Sequence, residues 1–157
     1  MTIAALLEEI SNRHFPNPPA SPREIEEFEQ RVGWKLDPDL RAFYLHCNGA
    51  KLFTQPDSPF RFLPLSKVVR ARVAFYRDDT DAEGPATWYV ICALHDGDYI
   101  IVDVGMQKSG RYPIIDGWHE SFPDPTQCKR IASSFAEFLD GALRSGGRQF
   151  WLTQAAT

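Results

Sequence analysis

Apolar residues recur at helical spacing from the start of the chain. Ile3, Leu6, Leu7 and Ile10 fall at i, i+3, i+4 and i+7, which predicts an amphipathic helix over the first dozen residues. Phe15-Pro16-Asn17-Pro18-Pro19 ends it, because proline lacks the donor that a helix interior needs. Ser21-Pro22-Arg23-Glu24 then joins an N-cap serine, a proline at the first helical position and a capping-box glutamate. Ile25, Phe28 and Val32 form the stripe of this second helix, and Gly33 is its stop. Asp37-Pro38 opens a third helix with Leu40, Phe43, Tyr44 and Cys47 inward, closed by the left-handed pair Asn48-Gly49.

Residues 50–66 are rich in proline and aromatics, including Phe53, Pro56 and Pro59, and Phe60-Arg61-Phe62 alternates like a short strand. Ser66 is placed to cap a further short helix carrying Val69 and Val73. Beyond an acidic loop the period falls to two. Trp88 to Leu94 and Tyr99 to Val104 are apolar almost throughout, which predicts strands in the middle of a sheet, joined by the turn His95-Asp96-Gly97-Asp98. Tyr112-Pro113-Ile114-Ile115 reads as a third strand, nearer an edge because of its proline. Ser134-Phe135-Ala136-Glu137 is a second capping box and starts a helix with Phe135, Phe138, Leu139 and Ala142 inward, ending near Gly146-Gly147. Helices, then a meandering sheet, then a helix predict an α+β fold with a largely antiparallel sheet.

Composition narrows the function classes. At 157 residues the chain is expected to form a single domain, residues 1–157, with a core that needs neither metal nor disulfide. A hydrophobic fraction of 43% excludes wholesale disorder, and no apolar run approaches the roughly 18 residues of a membrane span. The net charge of −4 argues against nucleic acid as the main ligand, which Lys and Arg would have to neutralise. Cys47, Cys92 and Cys128 are odd in number and far apart, with no CxxC pair, so they read as small hydrophobes in a reducing compartment. The first fifteen residues lack the basic and apolar regions of a signal peptide, so a cytoplasmic location is expected.

Catalytic signatures are missing or broken. Asp79, Asp81, Glu83 and Gly84 imitate the opening of a calcium loop, but position twelve is Val90 where a bidentate glutamate is required. His119-Glu120 begins like a zinc-binding HExxH, yet Pro123 follows and no second histidine does. No GxSxG, P-loop or GxGxxG occurs. No catalytic residue, cofactor or metal is therefore expected. The charge order is more informative. Residues 61–77 carry Arg61, Lys67, Arg70, Arg72 and Arg77 with no acid, whereas residues 78–103 carry Asp78, Asp79, Asp81, Glu83, Asp96, Asp98 and Asp103 with no Lys or Arg. Either the two stretches neutralise one another on one surface, or the acidic one steers a basic protein. Trp118, in a turn-rich segment, is either an interface anchor or a lid on the core. On the second reading of the charges, Asp78, Asp79, Asp81, Glu83, Asp96, Asp98 and Trp118 form the candidate protein-binding surface.

Four segments in order resemble the SUKH superfamily, the cell-wall-assembly-regulator-like (Smi/Knr) immunity proteins. They are Pro19 to Glu29 running on through Val32-Gly33, Leu36-Asp37-Pro38-Asp39-Leu40 and Phe43-Tyr44 to Asn48-Gly49; Phe62-Leu63-Pro64-Leu65-Ser66-Lys67-Val68; the hairpin Trp88 to Val104; and Ile131 to Leu139. The resemblance covers about residues 17–144, leaving residues 1–15 as an extra helix and 147–157 as a tail. The usual Leu-Pro before the third helix is here Leu36-Asp37-Pro38, shifted by one. The resemblance implies a non-enzymatic protein that binds and neutralises a cognate toxin of a polymorphic system. Such toxins are often nucleases or other enzymes acting on nucleic acid, delivered by type VI secretion or contact-dependent inhibition. Other members imply the alternative of a regulatory or scaffolding module with no toxin.

Overall fold

In the computed structural model, which describes residues 1–54 and 59–154, the three N-terminal helices form where their caps and stripes place them. Helix α1 (Ile3–Arg13) buries Leu6, Leu7 and Ile10. Helix α2 (Pro22–Val32) has the reciprocal capping box, with the Ser21 hydroxyl accepting from the Glu24 N–H and the Glu24 carboxylate accepting from the Ser21 N–H, and Gly33 closes it at φ +83°. Helix α3 (Pro38–His46) is capped by Asp37, whose Oδ1 accepts from the Leu40 N–H at 2.9 Å. Its end departs from expectation. Cys47 caps α3 in extended backbone, and Asn48 spends its side chain elsewhere, Oδ1 accepting from the Leu65 N–H at 2.9 Å. Gly49 alone takes the left-handed value, φ +92°, where a Cβ would stand 2.7 Å from the Phe62 carbonyl.

The sheet is a seven-stranded antiparallel meander whose spatial order follows the chain: β1 (Phe15–Pro16), β2 (Ala50–Leu52), β3 (Phe60–Phe62), β4 (Trp88–Leu94), β5 (Tyr99–Asp103), β6 (Ile114–Gly117) and β7 (Arg130–Ala132). The two apolar strands are central, β4 and β5, as their composition required. The third expected strand lies nearer an edge than β4 or β5, with only β7 beyond it. β6 pairs with β5 on one side and β7 on the other, and it begins after the proline, so the missing N–H of Pro113 costs no ladder bond. Tyr112 lies outside it, its N–H donating to Asp37 Oδ2 at 3.0 Å and its hydroxyl to the Lys35 carbonyl at 2.8 Å. Pro56 and the rest of residues 55–58 lie outside the described residues.

Both faces of the sheet are covered, which explains why β4 is apolar throughout. A register shift between Val90 and Cys92 puts one extra residue on β4, so Tyr89, Ile91, Cys92 and Leu94 all reach the main core. That core lies under α1, α2, α3 and α5 (Phe135–Arg144). Trp88 and Val90 reach a smaller cluster with Ile101, Ile115 and Phe122 on the other face. It is roofed by α4 (Ala71–Tyr76) and by residues 118–128, with Phe75 stacked on Phe122 at 4.2 Å between ring centroids. Ser66 caps no helix. It lies inside a one-turn 3-10 helix, Leu65–Lys67, because Pro64 sets that turn and Val68 returns to extended backbone before α4 begins. The C-terminal segment is more than a tail: Trp151, in α6 (Trp151–Gln154), is buried in the main core beside Phe60 and Phe138.

Candidate protein-binding site

The expected surface residues divide between the two ends of β4, which spans about 20 Å at the usual rise per residue. At its start, Arg77 ends α4 at φ +56° and the chain turns through Asp78–Thr80 into a 3-10 turn, Asp81–Glu83, and Gly84. Beneath this loop lies Arg72, whose side chain is only 7% exposed. Its Nε donates to Asp79 Oδ1 and its Nη1 to Asp81 Oδ1, both at 2.7 Å, and Nη1 also donates to the Gly84 carbonyl at 3.1 Å. Arg70 adds Nη1 to Asp79 Oδ2 at 3.1 Å and Nε to the Ala86 carbonyl at 3.0 Å. The hydrogen bond from Arg72 and the charges of both arginines hold the Asp79 carboxyl below its ordinary value. Neutralisation between adjacent basic and acidic stretches is therefore realised at Asp79 and Asp81. Among the described residues, Asp78 and Glu83 have no ion pair.

At the far end, Gly97 at φ +90° and the Asp98 N–H donating to Asp96 Oδ1 close the β4–β5 turn. Asp98 points inward and is 6% exposed, with His119 Nδ1 3.0 Å from its Oδ1. Asp116, across β5 and β6 from Ile100, accepts from the Trp151 indole N–H at 3.1 Å. Asp96 accepts from Gln149 Nε2 at 2.9 Å. These three carboxylates surround a cleft of about 670 Å³ walled by Trp118, Ile131, Trp151 and Leu152, with Lys129 and Arg130 also on its lining. Burial pushes the Asp98 carboxyl up, opposed by the His119 contact and reinforced by the charge of Asp96. Burial likewise raises Asp116, the Trp151 bond opposes it, and the charges of Asp98 and Asp96 add to the rise. Trp118 is 45% exposed and Leu152 57%, so both present apolar surface at the cleft.

The structure thus brings Asp96, Asp98 and Trp118 together and sets Asp78, Asp79, Asp81 and Glu83 apart from them. Sequence reasoning missed Asp116, Gln149, Trp151 and Leu152. Two signals pointed there: a lone carboxylate following Ile114-Ile115, and the aromatic pair Phe150-Trp151 in a segment read as a tail. The thiols are poor nucleophiles, since burial pushes Cys47 up to about 12 and Cys128 to about 11, and raises Cys92 as well. His46 does not face Cys47; its Nε2 lies 2.7 Å from Ser11 Oγ. No three His, Cys, Asp or Glu side chains among the described residues converge on a point where a metal ion would sit. No helix among them is long and apolar enough to cross a membrane.

An α+β meander with helices on both faces and an aromatic-walled, carboxylate-floored cleft at one end is the architecture of this chain. It belongs to the SMI1 / KNR4 family (SUKH-1), which it matches over residues 19–141. Two Bacillus subtilis (strain 168) proteins are similar to it. Immunity protein YokJ is 24% identical over 119 residues, 75% of this chain and 71% of that protein. Uncharacterized protein YnaB is 29% identical over 140 residues, 88% of this chain and 85% of that protein.

Proposed function

We propose that this chain, acting as one cytoplasmic domain, is an immunity protein that binds a cognate toxin and blocks it by occupying its surface, with no catalysis of its own. The observation that carries this reading is its similarity to a family relative named as an immunity protein. The geometry agrees. Half-exposed Trp118 and exposed Leu152 flank buried polar groups, the pattern of an interface centre where aromatic anchors meet charge. The partner's contact surface is basic, since the groups offered to it are Asp78, Glu83, Asp96, Asp98 and Asp116, and steering by such a field speeds association.

Co-expression with the product of a large toxin-bearing open reading frame found beside its gene tests the proposal, and the absence of such a frame counts for a regulatory module. Immunity predicts that the chain restores growth to cells poisoned by that product and co-purifies with it. Growth arrest unrelieved by the chain, with no complex, overturns the reading and leaves a regulatory or scaffolding module in its place.

A further inference from the structure

We propose that the cleft between the β4–β5 turn and α6 is a receptor for one arginine side chain of the protein partner. The proposal rests on the toxin-binding reading only for the identity of the protein that supplies that side chain. Its starting point is the contrast between the two ends of β4. At one end, Asp79 and Asp81 already hold a guanidinium, that of Arg72, at 2.7 Å. At the other, Asp96, Asp98 and Asp116 converge with no Lys or Arg bonded to any of them among the described residues. Each has one side-chain neighbour in hydrogen-bond range (Gln149, His119 and Trp151, in that order). A carboxylate offers about four lone-pair positions, so each has acceptor capacity left over.

The charge of Asp96 raises Asp98, and both raise Asp116, so a bound cation would relieve that repulsion. Lys129 lowers Asp116 from the rim, but Lys129 and Arg130 together leave the carboxylates in excess. Trp118 completes the recognition chemistry, because a half-exposed indole face attracts a cation and a planar guanidinium stacks on it. Arginine fits better than lysine on the same ground: it pairs with a carboxylate bidentately while lying flat on an aromatic ring. An anion would meet the carboxylates, and a purely apolar group would strand them without water.

The test uses the full-length, ¹⁵N-labelled protein, following the indole N–H signals of Trp118 and Trp151 by NMR. The probe is N-acetyl-arginine amide, and the control is its neutral isostere N-acetyl-citrulline amide. Arginine is expected to shift both indole signals saturably, with citrulline about tenfold weaker and added salt reducing the difference. Trp118→Ala, at a half-exposed side chain, should abolish the arginine response of the Trp151 indole while the rest of the spectrum stays that of the folded parent. Equal responses to arginine and citrulline, an unchanged response in Trp118→Ala, or no saturable shift overturns the cleft as an arginine receptor. A second arm identifies the source. If arginine binds but Asp96→Lys and Trp118→Ala both still rescue growth in co-expression, the site takes a free cation and the assignment to a partner side chain falls. Failure of the unaltered chain to rescue growth overturns the immunity reading instead, whatever the NMR shows.

Discussion

Single carboxylates do different work here according to what surrounds them. Asp37 is buried and uses both oxygens, Oδ1 for the Leu40 N–H and Oδ2 for the Tyr112 N–H, so it caps α3 and fastens the approach to β6 in one stroke. Asparagine keeps one acceptor and turns an NH₂ toward a second N–H. Asp37→Asn is therefore expected to cost about 1–3 kcal/mol in urea unfolding, despite the similar shape. Asp116 behaves in the opposite way. Burial raises its carboxyl, so the folded state holds the proton more tightly than the unfolded chain does. Its contribution is most favourable below the ordinary value of 3.8 and is lost as pH rises through the raised folded value. Asp116→Asn keeps an acceptor for Trp151 and removes the charge. Its melting temperature should exceed that of the parent by a few degrees at neutral pH, and the advantage should vanish in acid. The same substitution should weaken binding at the cleft.

Elements show how far the order of residues can be read. In α5, Gly141 sits mid-helix, where alanine ordinarily gains about 0.5–1 kcal/mol. A Cβ there would collide with the Phe150 ring, so Gly141→Ala should lose about 1–3 kcal/mol in thermal or urea unfolding. The loop after α4 depends on Arg72 in the same local sense. Arg72→Met leaves Asp79, Asp81 and the Gly84 carbonyl without their shared donor, and trypsin should then cut after Arg77 much faster than in the parent. The three N-terminal helices, α5 and the central strands were legible because caps and periodicity are local signals. β1, β2 and β7 escaped because their two or three residues lack the paired aromatics that marked the equally short β3. The left-handed close assigned to Asn48 failed because its side chain found the distant Leu65 N–H, a long-range partner that no local rule contains. The cleft was half legible for the same reason: Asp96, Asp98 and Trp118 announce themselves in turns, whereas Asp116 and Trp151 meet only after folding.

At the scale of the whole molecule, the acidic stretch of the sequence becomes two surfaces of unequal availability. Asp79 and Asp81 are satisfied by Arg70 and Arg72, so their field is largely cancelled at short range. The cleft carboxylates keep theirs. Reversal of Asp96 to lysine should therefore slow association with the proposed toxin partner and flatten its salt dependence more than reversal of Asp78, measured by stopped flow at low and high salt. A larger effect at Asp78 would place the contact on the loop.

The first and fifth helices lie against each other on the main core face, with Glu9 paired to Arg144. The meander can zip strand by strand as the chain emerges from the ribosome, because every strand pairs with its predecessor. Its helix-facing side stays only partly covered, by α1, α2 and α3, until α5 has been synthesised. A nascent chain arrested before Ser134 should consequently expose a sticky apolar surface and attract chaperones, whatever the strength of its hairpins.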